Sequence, residues 1–273
     1  MSDLNRVEMG ETSYKQSANT LFHFMPRFQY LIDAIKMMSL FSRFVEEDVS
    51  YLNLEISKQS IKKVAFPMLC FCDINLHNIH HHVEGEIGYG KYGFGLNKEW
   101  CEQRGVQPIR YVNESSKETE GFSKIFNLGL ENLQIEEYSQ IEFFDYILDL
   151  LRHTKPLKGS MEKNKEYITK NFHDEKEWRF VPNLEKLIEN DFYNDATMPE
   201  YMNFSVRNEL SDSLKIIPES LFKLEIDVIN YIFVENEKDK SELLDLIDYE
   251  FEGKDKLEMA SKILVYNQIK KDW

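Results

Sequence analysis

The stretch from Val64 to Trp100, VAFPMLCFCDINLHNIHHHVEGEIGYGKYGFGLNKEW, constrains this chain more than any other. Its apolar opening, Val64 to Cys72, is too short for an independent helix and rich enough in Phe, Val and Cys for a buried strand. Asp73 ends the run as a helix N-cap candidate, and a segment carrying His77, His80, His81 and His82 follows. Tyr89 to Leu96, YGKYGFGL, then alternates glycines with aromatic residues before Asn97 leads into a second helix. Glycines at that density let backbone or a ligand come close to aromatic faces. This succession of strand, helix, Gly/aromatic strand and helix predicts the wall of a pocket.

Charge narrows the partners. The 48 acids outnumber the 33 bases, for a formal charge of -15. That argues against non-specific binding to nucleic acid or an anionic membrane, both of which need a positive surface. Hydrophobic residues at 42% and aromatics at 13% mark a globular chain long enough to bury a sizeable core. Three cysteines, with Cys70 and Cys72 one residue apart, give no disulfide framework. With neither a signal-peptide pattern nor an apolar run of about 18 residues, the expectation is a soluble cytoplasmic protein with no membrane partner.

Along the chain, residues 1–19 are polar and aperiodic and are expected to form a loose arm. Thr20 to Phe24 predicts a short strand. After Pro26, the spacing of Phe28, Leu31, Ile32, Ile35 and Met38 predicts an amphipathic helix. Arg43 to Tyr51, with the acids Glu46, Glu47 and Asp48 in succession, reads as a surface excursion, and Pro108 to Val112 as a strand. Helical pattern with acidic faces fills 115–152, where Phe143, Phe144, Ile147, Leu148 and Leu151 make an apolar stripe. Lys155 to Asn171 reads as a long polar connection. It leads into FHDEKEWRFVP, where Glu175, Glu177 and Arg179 fall on one side of an extended chain and Trp178 and Phe180 on the other. Leu184 to Tyr193 predicts a helix, Ile226 to Val234 a strand, and Lys240 to Tyr249 a helix; the last twenty residues are ambiguous.

Three places carry a family resemblance: LFHF with its following helix, CFCDINLHNI…YGKYGFGLNKEW, and DEKEWRFVP. Together, in order from about Thr20 to about Val234, they resemble the AbiGi family of abortive phage resistance proteins, described as one half of a two-gene locus and usually labelled its antitoxin side. The resemblance implies a role in bacterial antiviral defence, with a cognate toxin or neighbouring-gene protein as partner. A second, fold-level resemblance is to ADP-ribosyltransferases of the H-Y-E type. It implies an NAD-binding cleft in which His23 holds the adenine-side ribose, Tyr92 stacks on nicotinamide and Glu177 is the catalytic acid, with Glu175 its partner. Phe24, Tyr89 and Arg179 would complete the cofactor contacts, Tyr89 competing with Tyr92 for the stacking role. The residue types suit the reaction, because a carboxylate against the ribose stabilises the oxocarbenium-like charge that develops as nicotinamide leaves.

Each of these residues also has a structural reading. His23 in an apolar strand suits a core histidine bonded to backbone. Tyr89, Tyr92 and Phe94 suit an aromatic face given room by Gly90, Gly93 and Gly95, and Glu175, Glu177 and Arg179 a ladder of opposite charges. His77 and His81 at i, i+4 spacing admit a zinc site, but the intervening Glu of a metalloprotease and C-x-x-C spacing are both missing, so no metal ligands are assigned. The expected architecture is α+β and ADP-ribosyltransferase-like: a small, bent, mixed or antiparallel sheet of TLFHF, VAFPMLCFC, YGFGL, PIRYV, EWRFV and INYIFV, with helices around it. Residues 20–273 form one domain with a helical insertion at 115–152. Three functions remain open: a defence protein with an NAD-using cleft, a non-catalytic antitoxin that binds a toxin, and a zinc-dependent hydrolase.

Overall fold

The computed structural model describes residues 18–56, 58–84, 88–131, 138–163, 166–183 and 203–272. Eight strands make the main sheet: β1 (Thr20–Met25), β2 (Arg43–Asp48), β3 (Lys63–Cys72), β4 (Tyr92–Asn97), β5 (Gln107–Pro108), β6 (Glu177–Phe180), β7 (Ile229–Val234) and β8 (Ile263–Val265). Their order is β8-β7-β4-β1-β3-β6-β5, with β2 paired to β3 off this path. Neighbours run antiparallel, except that β7 and β8 are parallel. Among the described residues the helices are α1 (Phe28–Met37), α2 (Ile79–Glu84), α3 (Lys98–Gln103), α4 (Lys117–Glu131), α5 (Tyr138–Arg152), α6 (Phe204–Leu214), α7 (Glu237–Glu250), α8 (Gly253–Ser261) and α9 (Tyr266–Ile269).

The unbroken apolar run of β3 follows from burial on both faces. Leu69 and Phe71 enter the main core with Leu21, Phe94 and Ile232 of the sheet, Leu31 and Ile35 of α1, and Leu243 and Ile247 of α7. Val64, Phe66 and Met68 point the other way, against Phe122 and Phe126 of α4 and Ile147 and Leu151 of α5. A third cluster gathers Phe22, Cys72, Ile79, Val83, Phe233 and Tyr266 at the Cys72 end of the same strand. β3 is thus the wall between cores, which a period-2 pattern cannot reveal because both of its faces are apolar.

The glycines of β4 serve the sheet. Phe22 lies opposite Gly95 and Phe24 opposite Gly93 on one side, while Tyr231 and Phe233 flank the same glycines from β7. A Cβ on Gly95 would stand 2.8 Å from Tyr231 Cδ2 and 2.9 Å from Thr20 Cγ2. One on Gly93 would stand 2.1 Å from the His23 carbonyl oxygen. The room beside these glycines is therefore filled by rings and backbone of neighbouring strands, with Phe22 and Tyr231 stacked at 6.3 Å. α3 starts where expected, with the Asn97 side chain accepting from the Trp100 N–H, and stops at Arg104 before Gly105 at φ 82°.

Several expectations change. The acid-rich Arg43–Tyr51 segment is not an excursion: Arg43–Asp48 is β2, registered residue for residue on β3. The polar connection after Lys155 contains a hairpin of Lys158–Lys163 with Glu166–Asn171. Asp73 caps no helix; the chain turns at Leu76–Asn78 and α2 begins at Ile79. PIRYV splits, Gln107–Pro108 joining β6 while Arg110–Val112 pairs in parallel with Thr154–Pro156. The sheet is accordingly larger than expected, although a mixed sheet with helices around it stands, and α4 and α5 lie within 115–152. The helix expected over Leu184–Tyr193 and all but two residues of the expected arm lie outside the described residues. Among the described residues no helix is long and apolar enough to cross a membrane.

Because the obstacle at Gly93 is backbone, which cannot swing aside, Gly93→Ala should lower stability by about 3 kcal/mol or more in urea unfolding. An unchanged midpoint would contradict the register of β4 on β1.

Candidate functional site

A buried run of alternating charges crosses the face of β6 that carries Glu177 and Arg179. In the antiparallel register Glu177 lies opposite Cys72 and Arg179 opposite Cys70, so directly opposed residues share a side, while Trp178 and Phe180 turn to the main core. Arg179 has no exposed surface and uses its whole fork. Its Nε donates to Glu177 Oε1, its Nη2 to Glu47 Oε1 and its Nη1 to the Arg152 carbonyl, each at 2.6 Å. Lys155 Nζ donates to Glu177 Oε2 at 3.0 Å and to Glu175 Oε2 at 3.1 Å. The other oxygen of Glu175 accepts from Lys170 and from the Tyr89 hydroxyl. Three carboxylates thereby meet three cations.

Local backbone makes this possible. Glu175 closes the 3-10 turn Phe172–Glu175, and Lys176 then takes a left-handed φ of 47° before β6 begins. The turn brings Glu175 and Glu177 to one ammonium. The Glu177 N–H is held by the Tyr111 hydroxyl at 2.8 Å. Burial raises the Glu177 carboxyl, but the adjoining Arg179 and Lys155 charges outweigh it and hold the group well below the usual carboxylate range. Glu175 shifts the same way: burial opposes ionisation, and Lys155, Lys170 and Tyr89 prevail. Lys155 and Arg179 are held protonated against burial by the same carboxylates. Burial and Glu175 push the Tyr89 phenol up.

A cleft of about 630 Å³ opens beside this network, lined by Tyr89, His82, Lys170, Asn171, Asp73 and Glu175 among others. His82 stacks on Tyr89 at 4.3 Å and contacts Phe24 at 5.9 Å; burial lowers its pKa to about 4, keeping it neutral at pH 7. Glu177, Arg179, His23 and Tyr92 do not line the cleft.

The expected site residues therefore divide. Glu175, Glu177, Arg179 and Tyr89 come together, and Phe24 reaches the same region through His82. Tyr92 turns to the main core, where its ring packs on Phe28 at 5.5 Å and its hydroxyl reaches Asp239 at 2.9 Å and Glu235 at 3.2 Å. His23 packs on Phe71 at 5.6 Å, and its Nδ1 donates to the Cys70 carbonyl at 2.8 Å, tying β1 to β3. His23 and Tyr92 thus occupy the face of the sheet opposite Glu177. These residues do not fit the NAD pocket that an H-Y-E site requires, since histidine, aromatic and acid surround no common cavity. Among the described residues no group of three or more His, Cys, Asp or Glu is placed to hold a metal ion. Glu47, Lys155 and Lys170, which complete the charge run, come from segments that read as surface.

Removing Arg179 leaves Glu177 and Glu47 buried without their shared cation, so Arg179→Ala should cost about 3–5 kcal/mol. Lys124→Ala, which breaks the exposed pair with Glu120, should cost less than about 1 kcal/mol. Equal losses in denaturant unfolding would contradict the network. The His82 pKa lies below its ordinary 6.5 in the folded state. Its contribution is therefore complete above pH 6.5 and is lost as pH falls from there towards 4. His82→Phe should flatten stability between pH 7 and pH 5, where the wild-type histidine costs on the order of 2 kcal/mol; an unchanged slope would place the imidazole in water.

Two comparisons give this geometry a family. The AbiGi family model, described as an abortive phage resistance protein and antitoxin, matches residues 38–235. The abortive phage resistance protein AbiGi of Lactococcus lactis subsp. cremoris is 34% identical over 256 residues, covering 86% of this chain and 100% of that protein. No solved structure matches. The family match spans β2 to β7, including the Gly/aromatic strand and the whole Glu47–Arg179–Glu177–Lys155–Glu175 run, and on these grounds the chain belongs to the AbiGi family.

Proposed function

We propose that this protein is the antitoxin of an abortive-infection locus and restrains a partner toxin by binding it, with Glu175 and Glu177 serving as structural carboxylates. The observation that carries the non-catalytic reading is the saturation of those two groups. Each accepts from two or three donors, and each is held in the charged form. A general acid needs a carboxyl that keeps its proton near working pH, and a stabilising carboxylate needs an open side towards the reacting atom. Neither condition suits Glu177, which stands behind the cleft wall. The family's description as an antitoxin and the net charge of -15 both favour a partner, and the charge favours a basic one.

Co-expression with the gene adjacent to this one tests the reading. Wild type should relieve the growth arrest that the neighbour causes, and the two proteins should co-purify. Glu177→Gln should lower the melting temperature yet still relieve arrest wherever it remains folded, and millimolar NAD should leave the wild-type melting temperature unchanged. Loss of relief by Glu177→Gln at an unchanged melting temperature, together with an NAD-dependent shift, would overturn the binding role in favour of the transferase.

A further inference from the structure

The two-helix insertion carries more apolar surface than its own packing uses. The inner faces of α4 and α5 enter the second core through Phe122, Phe126, Ile147 and Leu151, and one such stripe is all a helix needs to stay seated on a sheet. A second stripe faces outward: Ile125 is 53% exposed, Phe143 53% and Leu150 49%. Phe143 and Leu150 lie two turns apart on one face of α5, and Ile125 lies one turn before Gly129 on α4. Gly129 lets the helices close up, a Cβ there standing 2.9 Å from Ile147 Cδ1 and 3.6 Å from the outward Phe143 ring. Scattered apolar residues are ordinary on a surface, whereas a contiguous patch marks an interface.

The charge around the stripe favours one kind of occupant. α4 and α5 together carry six acids against three bases. Of those bases Arg152 is buried at the end of α5 and Lys124 is tied to Glu120, while among the acids Glu118 is tied to Arg110. Asp145 and Asp149 lie one turn apart on α5, Asp149 bonded to Arg152 at 2.5 Å and 59% exposed. An apolar ridge in an acidic surround fits apolar side chains flanked by Lys or Arg, with the charge steering the encounter and the ridge holding the complex.

We propose that the outward face of α4 and α5 is the surface on which the partner toxin docks, through a basic amphipathic segment of that partner. This inference rests on the antitoxin reading and adds to it the place and chemistry of contact. The cleft beside Tyr89 is then not the docking site.

The test uses the full-length protein and the product of the adjacent gene, with affinity measured by calorimetry and folding by thermal unfolding. Phe143→Lys with Leu150→Lys should weaken binding by about 30-fold or more. Tyr249→Lys with Leu257→Lys, at exposed positions of α7 and α8, should stay within about 2-fold. Should the first pair fail to fold, Ile125→Lys and Asp145→Lys, made separately, should each weaken binding at least about 5-fold, with the Asp145→Lys defect shrinking as salt rises. Folded variants that bind like wild type would overturn the docking face and leave the antitoxin reading standing. Wild type that fails to bind the neighbour's product would overturn both. A wild-type dimer abolished by Phe143→Lys, with partner affinity unchanged, would assign the face to a second copy and overturn the proposal.

Discussion

The guanidinium of Arg179 is the interaction on which the rest of the structure depends. It sits fully buried on β6 and joins three parts of the chain that are far apart in sequence: Glu47 of β2, Glu177 beside it, and the Arg152 carbonyl at the end of α5. A planar fork with five donors does this in a way a lysine cannot, because three acceptors in three directions are satisfied at once. Burying so much charge is unfavourable unless every ion is matched, and here carboxylates and cations alternate from Glu47 to Lys170. Neutrality of the whole run is therefore a condition of the fold. The same condition removes Glu177 from solvent, and its two oxygens are taken up by Arg179 and Lys155.

Around that anchor, β3 divides the hydrophobic interior. Its odd-numbered residues Leu69 and Phe71 face α1 and α7, and Val64, Phe66 and Met68 face the helical insertion. β4 lies beyond β1 and is thinned to glycine wherever flanking aromatic rings cross it. The insertion is consequently no loose appendage: its inner stripe completes the second core, and its last residue accepts a hydrogen bond from Arg179. Any partner engaging its outer stripe would touch an element rigidly coupled to the centre of the sheet.

Much of this was legible in the sequence, for reasons that can be named. β1, β4, β6 and β7 are short and apolar or alternating, and local composition was enough to find them. The Asn97 cap and the α4–α5 insertion also follow from nearest-neighbour chemistry. β2 was not legible, because three consecutive acids in Arg43–Tyr51 mimic a solvated loop; Glu47 is tolerated inside only because Arg179, 132 residues away, meets it. Lys155 and Lys170 were hidden likewise in a lysine-rich stretch, since nothing local separates a buried lysine from an exposed one. The grouping of Glu175, Glu177 and Arg179 could be read from their alternation, but their saturation could not. Fold analogy alone puts His23 and Tyr92 beside them, and strand parity sends both to the other face of the sheet. The ring-lined glycines suggested space for a ligand where cross-strand aromatics supply the filling.

The most direct test is to follow the side-chain carboxyl carbons of Glu175 and Glu177 by NMR as acid is added, with assignments from Glu→Gln variants. The account predicts that both carboxyls remain ionised below the ordinary glutamate value of about 4.3, Glu177 well below it, until the protein itself unfolds. A titration of Glu177 at or above that value in the folded protein would mean a carboxyl free to give and take a proton, and would contradict the claim that Arg179 and Lys155 lock it into the frame.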